Sequence, residues 1–196
     1  MPSVLVPLAQ GCEELEAVTV IDLLRRAEVE VVTAGLDDEL VVCSRGILLI
    51  PDTDLDHALL RDYDMIVLPG GAAGADRLNS DTRIHNLLVK MASEDRFIAA
   101  ICAAPKVLAN AGLLNHRKAT SYPGVLENRN IEGLSYQNAA VVIDGKVITS
   151  RGPGTAIDFA LELIELLVSP SKRAEVESGL QLAHQCEHSI LRFEKA

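Results

Sequence analysis

Three apolar runs, residues 4–8, 65–68 and 97–101, are continuous rather than alternating, and residues 29–34 are β-branched and strand-like. That is the pattern of strands covered on both faces of a parallel sheet. Between them the period lengthens to that of a helix. Residues 13–26 place Ala17, Val20, Ile21, Leu24 and Ala27 on one stripe and Asp22, Arg25 and Arg26 on the other. A second helical stretch covers about 81–91, and a third runs over 105–110 and stops at Gly112. A fourth opens after Ser150-Arg151-Gly152-Pro153-Gly154 with a stripe of Ile157, Ala160, Leu161, Ile164 and Leu167. Two hairpins interrupt the alternation. One joins 40–43 to 47–50 through Ser44-Arg45-Gly46 and is closed by 51–54, with a short helical turn after it. The other joins 141–143 to 147–149 through Asp144-Gly145. Residues 115–138 carry little signal. The pattern predicts an α/β domain with a mostly parallel central sheet and right-handed βαβ crossovers. One domain is expected over 1–196, with its core at about 3–170 and a solvated helical tail at 171–196.

The stretch 96–105 organises the candidate chemistry. Its strand stops at Cys102, and Pro105 follows at a position suited to the first turn of a helix. Ala100 and Ala104 flank the cysteine at two residues on each side, the small-x-nucleophile-x-small spacing of a nucleophile elbow. Such a thiol sits exposed at the sheet tip, where the helix start favours thiolate. A buried structural cysteine is the other reading of the same residues. Glu16 falls on the apolar side of the first helix, where desolvation raises a carboxyl's pKa. Dipole complementation by Glu13, Glu14 and Glu16 is the plainer account of that acidic first turn. Pro69-Gly70-Gly71-Ala72-Ala73-Gly74 after the third strand can turn an N–H toward an oxyanion. It matches neither phosphate-loop pattern, so nucleotide binding is rejected.

Composition narrows the partners. With 18 basic against 28 acidic residues the net charge is -10, and aromatics are 3% with no tryptophan. A nucleic-acid footprint, which needs a basic face or stacking platforms, is disfavoured, and a small or neutral substrate is preferred. Cys12, Cys43, Cys102 and Cys186 show no paired metal spacing, so reduced thiols in a cytoplasmic setting are expected. Cys43 reads as structural or as a secondary oxidation site. The alternate spacing of His184, Cys186 and His188 suits a strand, whereas its surroundings look helical, so no metal site is assigned. The apolar N-terminus lacks a basic flank and is too short to span a membrane.

Five segments together resemble one family: Glu13-Glu14-Leu15-Glu16-Ala17-Val18, Cys43-Ser44-Arg45-Gly46, Val67-Leu68-Pro69-Gly70-Gly71, the 99–105 elbow, and Thr149-Ser150-Arg151-Gly152-Pro153-Gly154-Thr155. In that order they resemble the ThiJ/PfpI superfamily, in the branch that contains the Parkinson-disease-associated deglycase and the bacterial YajL proteins. The resemblance implies a flavodoxin-like three-layer sandwich and a homodimer. It implies Cys102 as reactive cysteine, Glu16 as the protonated carboxyl beside it, and the Gly71 and Ala103 amides as the oxyanion site. Arg45, Arg151 and Tyr122 are candidates for the pocket or the dimer interface. The implied activity needs no cofactor and acts on 2-oxoaldehydes such as methylglyoxal, or on their adducts with proteins or nucleotides, releasing a 2-hydroxy acid. The competing reading is an oxidative-stress sensor and chaperone that works by oxidation of Cys102. Ala103 stands where peptidase-like and chaperone-like members place a histidine, so peptidase activity is not expected. Tyr122 and Ile50 also depart, standing where a relative has a pocket histidine and a second cysteine.

Overall fold

A computed structural model of the chain describes residues 1–182 and 185. The predicted runs become β1 (Ser3–Leu8), β2 (Glu30–Gly35), β6 (Met65–Leu68) and β7 (Phe97–Ile101), and the second hairpin becomes β10 (Val141–Asp144) and β11 (Val147–Ser150). With β5 (Thr53–Asp54) they form one seven-stranded sheet in the order β10-β11-β7-β6-β1-β2-β5. Every pairing is parallel except β10 with β11. All six residues of β1 and all four of β6 are buried, because helices cover both faces. On one side α1 (Glu14–Arg26) packs against α6 (Ala156–Leu167), and α6 against α7 (Pro170–Leu180). On the other, α3 (Ala72–Ser80) packs against α4 (Thr82–Ser93) and α5 (Pro105–Asn110).

Strand order fixes where a site can form. From β1 the chain steps outward to β2 and β5, then returns to the far side of β1 with β6 and continues to β7. The direction reverses between β1 and β6, so the loops at their carboxyl ends diverge and leave a crevice. The β1 loop carries Gly11 to Glu13, the β6 loop carries Pro69 to Gly71, and β7 delivers Cys102 beside them.

The sequence misses elements whose signals are short or contradictory. β5 has two residues, placed by parallel pairing of Ala34 with Thr53, inside what the pattern reads as a hairpin closure. The short turn after it is α2 (Leu55–Ala58), capped by the Asp54 carboxylate on the His57 N–H at 2.9 Å. The first hairpin is β3 (Val41–Val42) with β4 (Leu48–Leu49), and the weak 115–138 region holds β8 (Lys118–Ala119) and β9 (Ser135–Tyr136). α3 is missed because glycines disfavour a helix interior. Gly74 is nevertheless required there, since a Cβ would lie 2.7 Å from Cys12 Cα. Ile157 is exposed rather than on the buried stripe of α6, which turns Ala156, Phe159 and Leu163 inward instead. The stretch after Ser169 forms α7, whose residues are exposed or half-buried apart from Val176, and Arg173 ties it to α6 by pairing with Glu162 at 3.0 Å and Glu165 at 2.7 Å. His184, Cys186 and His188 lie outside the described residues. No group of three metal-ligating side chains occurs among the described residues. Nor is any described helix long and apolar enough to cross a membrane.

Candidate active site

Cys102 sits directly after β7 with φ +62°, a left-handed conformation that costs a non-glycine residue about 1–2 kcal/mol. Its own backbone hydrogen bonds hold it there. The N–H donates to Ser150 O at 3.0 Å, and the carbonyl accepts from Tyr122 N at 2.8 Å. The Ser150 end is fixed in turn, because its hydroxyl bonds Ala140 O at 2.9 Å and Thr155 Oγ1 at 2.7 Å. That ties the elbow to the 149–155 segment. The thiol is not displayed at the sheet tip, since Cys102 is 8% exposed. Gly70, Gly71 and the Tyr122 segment close around it, which the local sequence does not show.

The three glutamates at the start of α1 do three different things. Glu13 is the N-cap, its carboxylate accepting the Glu16 N–H at 2.8 Å. Glu14, also buried, reaches the hairpin, accepting from Ser44 Oγ at 2.9 Å and Arg45 N at 2.8 Å. Glu16 has no exposed surface and turns to the elbow. Its Oε2 accepts the Gly70 N–H at 2.8 Å, while Oε1 is buried without a well-aligned partner among the described residues. The Cys102 thiol is a hydrogen-bond neighbour of this carboxyl.

Gly70 was not singled out by the sequence and proves necessary. A Cβ there would lie 2.6 Å from both Cys102 Cβ and Glu16 Oε2, so only glycine lets the two functional groups meet. The signal was present as a double glycine after a buried strand. Gly71 follows at φ +83°, where a Cβ would lie 2.4 Å from Gly11 O.

Electrostatics link the thiol and the carboxyl. Burial pushes Glu16 up from 4.5 to about 7, against the hydrogen bonds from Cys102 and Gly70. Burial also pushes the Cys102 thiol up to about 12, reinforced by the Glu16 charge and its hydrogen bond, while the Gly71 and Ala103 amides act in the opposite sense. The helix start alone therefore does not make a thiolate, contrary to the sequence expectation. α5 is six residues long and its field is outweighed by desolvation. Moving the proton from sulfur to Glu16 removes the two Glu16 contributions and leaves both amides facing the sulfur. The two groups are coupled, so protonation of either one changes the pKa of the other.

Cys102 and Ala103 open onto a cavity of about 770 Å³ at the crevice, lined also by Gly11, Cys43, Arg45, Gly71, Arg77 and Tyr122. Arg45 and Tyr122 are thus brought to the site, as sequence reasoning allowed. Arg77 was missed. Arg151 is absent from the wall, its guanidinium lying 3.4 Å from Tyr136 Oη and its N–H bonded to Ala140 O.

A nucleophile elbow, a carboxyl buried against it and two amides at one crevice invite comparison with known proteins. The DJ-1/PfpI family matches over residues 2–166. The chain belongs to the DJ-1/PfpI family. Protein dj-1beta of Drosophila melanogaster is 43% identical over 184 residues, covering 93% of this chain and 98% of that protein. A Caenorhabditis elegans relative named glutathione-independent glyoxalase DJR-1.2 is 36% identical over 174 residues, covering 89% and 92%. Among solved structures, Drosophila DJ-1beta superposes with a TM-score of 0.87 over 93% of this chain and 98% of that one, at 43% identity. Oxidized Toxoplasma gondii DJ-1 superposes equally, TM-score 0.87 at 37% identity, over 93% and 100%. The flavodoxin-like three-layer arrangement with its elbow cysteine is therefore that of DJ-1 proteins.

Proposed function

We propose that this DJ-1/PfpI protein is a cofactor-independent cysteine enzyme acting on 2-oxoaldehydes or their early adducts, with Cys102 as nucleophile and Glu16 as proton carrier. The observation that carries the reading is a fully buried carboxyl, raised to about 7, that is hydrogen-bonded to the Cys102 thiol and whose second oxygen has no other partner among the described residues. In the reactive form Glu16 holds the proton and Cys102 is thiolate. Sulfur adds to the aldehyde carbon, and the Gly71 and Ala103 amides stabilise the oxyanion. Glu16 gives its proton to that oxygen, completing the hemithioacetal. The carboxylate so formed carries a proton from the aldehyde carbon to its neighbour while the hydroxyl proton is released to give a 2-hydroxy thioester. Water hydrolyses the thioester, releasing the 2-hydroxy acid and the free thiol. The overall change is addition of one water, so no external oxidant or reductant is consumed. The name of the nematode relative supports this class of substrate.

Lactate formation from methylglyoxal, detected by enantiomer, tests the reading in wild type and Cys102→Ala. Loss of roughly a thousandfold or more in kcat/KM is expected for the variant. Equal rates refute catalysis through Cys102.

The second reading, a sensor that oxidises Cys102, draws support from the same amides and from the oxidized state of the Toxoplasma relative. Peroxide titration followed by intact mass tests it. Two oxygens on Cys102 before any other cysteine supports the sensor, and earlier oxidation of Cys12, Cys43 or Cys186 opposes it.

A homodimer is the proposed assembly. Leu15 and Val18 on α1 and Val42, Ile47, Leu48 and Ile50 around the first hairpin are exposed, and Glu14 holds those two elements together. A second copy would cover this face. A monomeric mass by light scattering contradicts the assignment.

A further inference from the structure

Two buried thiols next to the site have no part in the mechanism above. Cys12 lies in the loop after β1 and Cys43 follows β3, 31 positions later, yet their Sγ atoms are 3.5 Å apart, in hydrogen-bond contact. We propose that Cys12 and Cys43 form a second redox site, closing to an intrachain disulfide when the protein meets peroxide.

The backbone already has the geometry. Gly11 N–H donates to Val42 O at 2.7 Å and Ser44 N–H to Cys12 O at 2.8 Å, so hydrogen bonds bracket the two cysteines on adjacent segments. Segments paired in this way lie about 5 Å apart, inside the 4.4–6.8 Å range that a disulfide spans between Cα atoms. Side-chain rotation closes the rest. A chance meeting of two thiols on unrelated surfaces would lack this double tether.

Access is ordered. Cys43 lines the 770 Å³ cavity, whereas Cys12 has no exposed surface and lies behind it. A small peroxide entering the cavity meets Cys43 first. The Cys43 sulfur attacks one peroxide oxygen, the O–O bond breaks, and sulfenic acid and one water result. The Cys12 sulfur then displaces the sulfenic oxygen, which leaves as a second water, and the S–S bond forms. One peroxide is reduced, two thiols are oxidised, and the protein loses two hydrogens. Burial pushes both thiols upward; the neighbouring Cys43 raises Cys12 further whereas the hydrogen bond from Cys12 lowers Cys43, and the Glu14 and Glu13 carboxylates add smaller upward contributions to both. Closure links the loop that supports Gly70 and Gly71, through the Glu13 N–H to Gly70 O bond at 3.0 Å, to the Val42–Arg45 rim of the cavity.

The test uses full-length protein exposed to graded hydrogen peroxide, blocked with iodoacetamide and digested without reductant for peptide mass mapping. Wild type and Cys102→Ser should both yield a linked peptide joining Cys12 to Cys43, lighter by two hydrogens than the sum of its parts and released by dithiothreitol. Cys43→Ala should not yield it. The proposal is overturned if Cys12 and Cys43 remain alkylatable after peroxide has fully oxidised Cys102. It is equally overturned if the linkage found involves Cys102 or Cys186, or joins two chains. Because Cys102→Ser lacks the proposed nucleophile, failure of the catalytic reading leaves this result standing, and the reverse holds as well.

Discussion

Cys102 and the Cys12–Cys43 pair are nearly equally hidden, at 8%, 0% and 5% exposure, and burial drives all three thiols toward the protonated form. They differ in what else surrounds them. Cys102 has two amides facing its sulfur and a carboxyl that can take up a proton. Cys12 and Cys43 have each other and two carboxylates, Glu13 and Glu14, that oppose a thiolate. Reactivity in this crevice is thus a matter of second neighbours, because exposure is common to both sites. The same acidic helix start serves both, with Glu16 turned toward one sulfur and Glu13 and Glu14 acting on the others.

The largest expected break in that contrast is Glu16→Gln. Removing the proton carrier while keeping an acceptor for the Gly70 N–H should lower kcat on methylglyoxal roughly a hundredfold to ten-thousandfold. In wild type, kcat/KM should rise as pH passes upward through about 7, because below it both Glu16 and Cys102 hold protons and no shared anion exists. That limb should leave neutral pH in the variant. Next comes Gly70→Ala, whose Cβ cannot fit at 2.6 Å from both groups. Urea unfolding should show a loss of about 3–5 kcal/mol. An unchanged midpoint would mean that the crevice is looser than its geometry implies.

Stability should respond to Glu16 with the opposite sign to activity. Its folded pKa lies above the ordinary 4.5, so its contribution is fully present below 4.5 and is lost as pH rises through about 7. The difference corresponds to about 3 kcal/mol at most. Glu16→Gln cannot ionise and should be more stable than wild type by about 1–3 kcal/mol near pH 8, converging with it near pH 4. The smallest effect concerns the backbone at φ +62°. Cys102→Gly should be about 1 kcal/mol more stable than Cys102→Ala, since glycine adopts that conformation without penalty. Calorimetry of the two variants measures it.

Much of this was legible in the chain. Strands buried on both faces announced themselves as unbroken apolar runs, and helical period alone placed Glu16 on the inward face of α1. Two-residue strands such as β5 and β8 carry too few positions to show a period, and α3 hid behind glycines that its packing against Cys12 demands. What closes over Cys102 comes from Gly70 and Tyr122, distant in sequence, so its burial and raised pKa were not readable from the elbow. The Cys12–Cys43 contact is invisible for the same reason, since 31 positions separate residues that tertiary structure sets side by side. Arg151 shows the converse: a conspicuous motif can fix backbone without lending its side chain to the cavity.

The most direct test of the central claim is the rate of iodoacetamide labelling at each cysteine, followed by peptide mass across pH in wild type and Glu16→Gln. With exposure nearly matched, the account predicts that Cys102 is labelled at least about tenfold faster than Cys43 or Cys12 near neutral pH. It also predicts an inflection at about 7 that the variant shifts. Equal rates at the three sites, or a Cys102 profile indifferent to Glu16, would contradict it.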